Sequence, residues 1–182
     1  MSGPDPMVVR RDCPVTLIPS GRPAILARGE QVQAVQQLGA SLTVQVVGGP
    51  LARIDGGDFD AVGMEPPAET APPSRVDGAF DPDAVLERLR GVYDPEIPVN
   101  VVDLGLVYRC QAVPLGGGRH RVEIDMSMTA PGCGMGDVLR DEARRVVLAL
   151  PGVAEVDVQL VWDPPWDMTR LSDAARLELG LW

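Results

Sequence analysis

Five short apolar runs, at 14–18, 24–27, 31–36, 42–47 and 51–54, occupy the first third of the chain. Turn-forming stretches separate them: Pro19-Ser-Gly21, Arg28-Gly29, Leu38-Gly-Ala40 and Gly48-Gly-Pro50. Leu42, Val44 and Val46 alternate with Thr43 and Gln45, the period of two that lays one face of a strand on a core. The pattern predicts a small all-β domain over 1–63, built as a barrel or a sandwich. A domain of that size buries a modest core and is marginal by itself.

Beyond residue 80 the period changes. Asp81-Pro82 has the form of an N-cap followed by proline at the first helical position, and Val85 and Leu89 stand four apart, so a helix is predicted to about Gly91. Leu104, Leu106, Tyr108 and Cys110 alternate as a strand. After the Gly116-Gly117-Gly118 turn, Val122, Ile124, Met126 and Met128 alternate with Arg121, Glu123, Asp125 and Ser127. A second helix is predicted over 135–149, with Leu139, Ala143, Val146 and Leu150 on one stripe. Val156, Val158, Leu160 and Trp162 make a third strand, and Ser172 caps a short helix over 172–179. The order α-β-β-α-β-α over 80–182 predicts a mixed three-stranded sheet with helices on one face, and the whole chain is α+β. Between the two parts, 64–79 carries four prolines and almost no core-forming residue, and reads as a semi-rigid linker.

Composition narrows the chemistry. All sixteen basic residues are arginine, which excludes a lysine Schiff base, a pyridoxal-phosphate anchor and the phosphate-binding lysine of a P-loop. A net charge of −10 repels phosphate backbones and argues against non-specific nucleic-acid binding. No stretch approaches the length of a transmembrane span and no apolar leader opens the chain, so no membrane association and a cytoplasmic location are expected. Three cysteines, with no Cys-x-x-Cys pair, make no disulfide framework.

Cys133 is the candidate with most chemistry. It sits between two glycines in Met128-Thr-Ala-Pro-Gly-Cys-Gly-Met-Gly136, where a strand is predicted to give way to a helix. A thiol near a helix N-terminus is biased toward thiolate, the form that attacks or binds metal. The plainer alternative is a small residue packed in a turn. A Cys-x₅-Arg phosphatase motif is missing, because position 139 is Leu and Arg140 falls one residue late. A Cys–His hydrolase would need His120, the only histidine, at the far end of its strand. Cys110 reads as packing, and Cys13 lies in the other domain. A stable cluster within one chain is therefore not expected, whereas a transient one shared with another chain or a partner is compatible. Asp94, Glu96 and Asp103 crowd the predicted loop before the first strand, where each is a candidate cap, cation ligand or aid to Cys133.

These segments resemble a known family. Asp94-Pro-Glu-Ile-Pro-Val99, Val102-Asp-Leu-Gly-Leu-Val-Tyr108 and Thr129-Ala-Pro-Gly-Cys-Gly-Met-Gly136 are similar to the PaaD-like metal-sulfur cluster biosynthesis domain, as is the tail from Val161-Trp-Asp-Pro-Pro-Trp166 to Trp182. Arg11-Asp-Cys-Pro14, Ile18-Pro-Ser-Gly21 and Arg53-Ile-Asp-Gly-Gly-Asp58 resemble the extra domain of its SufT subgroup. The resemblance implies an auxiliary factor in iron–sulfur protein maturation, not an enzyme and without catalytic residues. Cys133 would be the reactive cysteine and metal ligand, with Asp103 and Thr129 beside a transient iron–sulfur cluster. Its implied partners are the assembly machinery and client apo-proteins, with a homodimer as a further expectation. A cysteine-dependent hydrolase or thiol-redox enzyme stands as the alternative. The three tryptophans, 162, 166 and 182, read as a lid on the core or as a docking patch.

Overall fold

The computed structural model describes residues 6–67, 79–94, 96–130 and 134–181. Cys133 and Trp182 therefore lie outside the described residues, as do 68–78, most of the predicted linker. Contacts divide the chain into two compact units, Met1–Pro72 and Pro73–Trp182. Each unit has its own buried apolar cluster.

The first unit is one antiparallel sheet of six strands: β1 (Met7–Val8), β2 (Cys13–Ile18), β3 (Pro23–Leu26), β4 (Gln31–Leu38), β5 (Ser41–Val46) and β6 (Leu51–Asp55). Their order is β1-β4-β5-β6-β2-β3, a single sheet and not the pair of a sandwich. All five apolar runs are strands. The two-residue β1 is too short to show a period. A 3₁₀ segment, Gly56–Val62, sends Phe59, Ala61 and Val62 into the core. The alternation on β5 does not divide inside from outside. Thr43 and its cross-strand neighbour Arg53 are buried as well as Leu42 and Val44, so the sheet centre is covered on both faces.

In the second unit, helix α1 (Pro82–Leu89) opens as expected, with the Asp81 carboxylate accepting from the Asp83 N–H at 3.0 Å. Val85 and Leu89 are its buried stripe. Strands β7 (Val107–Gly116) and β8 (Arg119–Met126) form the hairpin, and β9 (Val153–Leu160) joins β8 in parallel, giving a mixed sheet of order β7-β8-β9. Helices α2 (Gly136–Leu148) and α3 (Asp173–Glu178) complete the unit. Val122, Ile124 and Met126 of β8 share one core with Leu139, Ala143 and Val147 of α2, Val85 and Leu89 of α1, and Ala175 of α3. The opposite face of the sheet is polar, with Arg109 paired to Glu123 and Asp125 at 3.0 Å each.

Some details differ from the periodic reading. Strand β7 starts at Val107, because 101–105 is a turn that still buries Leu104. The α2 stripe runs 139–143–147, leaving Val146 half-buried. Trp162 lies past the end of β9 and is 46% exposed.

Candidate functional site

Parallel pairing brings the C-terminal ends of β8 and β9 to one end of the sheet, and the antiparallel β7 begins there. Three described segments follow from this topology: 96–106 leading into β7, 127–130 leaving β8, and 161–172 leaving β9. Hydrogen bonds tie them together. The Ser127 N–H donates to the Leu106 carbonyl at 2.8 Å, and the Val161 N–H to that of Met126 at 2.9 Å. The Trp166 indole N–H donates to the Leu104 carbonyl at 2.7 Å, and the Ser172 N–H to that of Asp103 at 2.9 Å. The motifs most distant in sequence thus share one end of one sheet.

The acidic loop is organised by side-chain to backbone bonds. Asp94, 2% exposed, accepts from the N–H groups of Glu96 and Ile97 at 2.8 and 3.0 Å. That arrangement is an Asx-type turn, so this carboxylate shapes the loop. Asn100 accepts from the N–H groups of Val102 and Asp103 at 3.1 and 2.9 Å, and its amide donates to Asp103 Oδ2 at 2.7 Å. Arg90, just after α1, contacts both Asp103 oxygens at 2.8 Å. Burial of Asp103 favours its neutral form, but the bonds from Asn100, Arg90 and Ser172 and the arginine charge outweigh it and hold the carboxyl below the usual aspartate range. Asp103 is therefore an ionised clamp between the end of α1 and the turn.

Gly105 explains how the tail can lie so close. Its φ is +69°, and a Cβ there would stand 2.2 Å from the Arg170 carbonyl oxygen, so only glycine lets the two backbones meet. The Arg170 guanidinium in turn covers the Tyr108 ring, 3.9 Å from its centroid. At the start of α2, a Cβ on Gly136 would come within 3.2 Å of Leu160 and 3.5 Å of Met128, which seats the helix against the ends of β8 and β9. Thr129 is half-buried just beyond Met128. The hydroxyls of Tyr108 and Ser127 are buried with no hydrogen-bond partner among the described residues.

Of the predicted site residues, the structure thus brings Asp103 and Thr129 to loops at the same end, while Cys133 is outside the described residues. The other two thiols are held away from reactivity. Burial, reinforced by Asp58, pushes Cys13 up to about 11, and burial raises Cys110, half-buried in β7 opposite Ile124. Among the described residues no group of three or more His, Cys, Asp or Glu could hold a metal ion, and no helix is long and apolar enough to cross a membrane. Periodicity alone missed Arg90, Asn100 and Gly105. The Asn100-x-x-Asp103 spacing is a turn signal that could have been found. Arg90, thirteen residues from Asp103, leaves no such signal.

The profile of the iron–sulfur cluster assembly protein family matches residues 82–158, all within the second unit. An Fe-S protein maturation auxiliary factor of Porphyromonas gingivalis is 41% identical over 96 residues, covering 53% of this chain and 88% of the relative. The Bacillus subtilis auxiliary factor YitW is 35% identical over 97 residues, 53% of this chain and 91% of its own. A crystal structure of a domain of unknown function, DUF59, from Bacillus anthracis superposes with a TM-score of 0.50 at 34% identity, covering 56% of this chain and 92% of that one. The chain belongs to the iron–sulfur cluster assembly protein family.

Proposed function

We propose that this protein is an auxiliary carrier in iron–sulfur protein maturation, handling the cluster as cargo through Cys133 and passing it to client apo-proteins. The observation that supports this most is the 41% identity to a maturation auxiliary factor over nearly that relative's whole length. The chemistry fits. In sequence Cys133 precedes by two residues Met135, the N-cap of α2, and a thiol near a helix N-terminus is biased toward thiolate, a soft ligand for iron. With Cys13 and Cys110 both buried or half-buried and raised, a single thiolate leaves the remaining iron positions to sulfur ligands from elsewhere. A second copy, the assembly machinery or the client can supply them. That incompleteness suits transfer rather than storage. In this reading Asp103 holds the neighbouring loop in place, Thr129 flanks the thiol, and the protein works in the reducing cytoplasm without a reaction of its own. Residues 64–79 join the family domain to the N-terminal one, whose similarity to the SufT extra domain makes it an accessory to the same task.

Anaerobic incubation with iron and sulfide, followed by transfer to an apo-ferredoxin, tests the proposal. The wild type should take up iron and sulfide and yield holo-ferredoxin, whereas Cys133→Ser should fold alike and do neither. Transfer by the serine variant at the wild-type rate would overturn the role of the thiol. Turnover of a substrate by the purified protein alone would favour an enzyme instead.

A further inference from the structure

We propose that the tail segment 161–181 is a docking surface for a basic, apolar polypeptide segment of a partner protein. Eleven large apolar residues are exposed among the described residues, and four of them, Trp162, Met168, Leu177 and Leu181, fall in this one segment. Its charges are sorted. Asp163, Asp167, Asp173 and Glu178 are all exposed, and none forms an ion pair among the described residues. The two arginines are turned to internal work: Arg170 covers the Tyr108 ring, and Arg176 donates to the Thr169 carbonyl at 3.1 Å. The segment therefore exposes apolar side chains interspersed with carboxylates that have no ion-pair partner among the described residues.

The segment is preorganised. Leu171 and Ala175 are buried at 5% and 1%, and the Trp166 and Ser172 bonds fix its path, so docking need not order it. Complementarity selects the occupant. A second copy would bring the same acidic surface against itself in a chain of net charge −10, and anionic lipid or nucleic acid would be repelled. A partner segment that intersperses Leu or aromatic anchors with Arg or Lys satisfies both features. Exposed tryptophan and methionine suit such a contact. Because the segment leaves β9 at the end of the sheet where β8 runs into residues 127–130, a protein docked here lies at the end of the sheet that carries Asp103 and Thr129. The inference does not rest on Cys133.

Calorimetric titration of the full chain with a synthetic amphipathic Leu/Arg peptide decides the matter. Binding is expected to weaken about tenfold in Trp162→Ser/Met168→Ser and in Asp163→Asn/Glu178→Gln, and to remain at the wild-type level in Ile25→Ser/Val35→Ser, which removes exposed apolar side chains of the first unit. A Leu/Glu peptide and phosphatidylglycerol vesicles should not bind. Unchanged binding in the Trp162/Met168 variant, equal loss in the Ile25/Val35 variant, or comparable binding of the Leu/Glu peptide or the vesicles would overturn the proposal. Should the Trp162/Met168 variant melt early, Leu177→Ser, on the exposed side of α3, carries the same test.

Discussion

Ser127 is 1% exposed and its hydroxyl has no hydrogen-bond partner among the described residues. A buried, unsatisfied hydroxyl costs the folded state roughly 1–3 kcal/mol. Ser127→Ala should therefore leave the melting temperature unchanged or raise it; a drop of several degrees would reveal a partner. Asp103 behaves in the opposite sense. Its folded-state carboxyl is held below the unfolded range by Asn100 and Arg90, so its stabilisation is complete above the unfolded pKa of about 4 and is lost as pH falls through the lower folded value. With a side chain only 20% exposed, the clamp is partly shielded from solvent. Asp103→Asn should cost about 1 kcal/mol at neutral pH, and urea midpoints of the two proteins should converge as pH falls below the unfolded pKa of about 4 and through the lower folded value. A constant gap across that range would mean that packing, not charge, carries the effect.

Among the elements, α2 separates two ways of reading a helix. The sequence stripe passes through Val146, but the side chain that reaches the sheet is Val147, fully buried, with Leu139 and Ala143. A four-residue step from 143 leads to 147, and the 3.6-residue turn leaves 146 at the margin. Val147→Ala should destabilise by about 2 kcal/mol and Val146→Ala by less than about 1 kcal/mol, measured by chemical denaturation. Reversal of that order would restore the periodic reading. Helix starts, by contrast, follow local chemistry closely. Asp81 and Ser172 both accept the N–H bonds expected of N-caps, because each such contact spans only two or three residues.

At the scale of the molecule, the second unit closes its core with its own residues, from Val85 to Ala175. Residues 80–182 expressed alone should therefore melt cooperatively and retain the helix and strand content of the unit. Non-cooperative melting of the fragment would show that the N-terminal unit is required for folding. The match to the iron–sulfur cluster assembly protein family lies within the same boundaries, so under the proposed function cluster transfer by the fragment is the matching readout.

The five N-terminal strands, the hairpin, both caps and the α+β order were legible from residue order alone, because periodicity and capping depend on neighbours a few positions apart. Cys133, Thr129 and the acidic loop could be singled out for the same reason: glycines, prolines and carboxylates mark local backbone chemistry. The meeting of three loops at one end of the sheet could not be read this way. It depends on β9 pairing parallel to β8, on Gly105 admitting the Arg170 carbonyl, and on Arg90 reaching Asp103 across thirteen residues. Nor could the burial of Thr43 and Arg53, since the cover over a strand's second face comes from elsewhere in the chain. Such contacts join residues with no fixed spacing, and only the folded backbone brings them within a few ångströms.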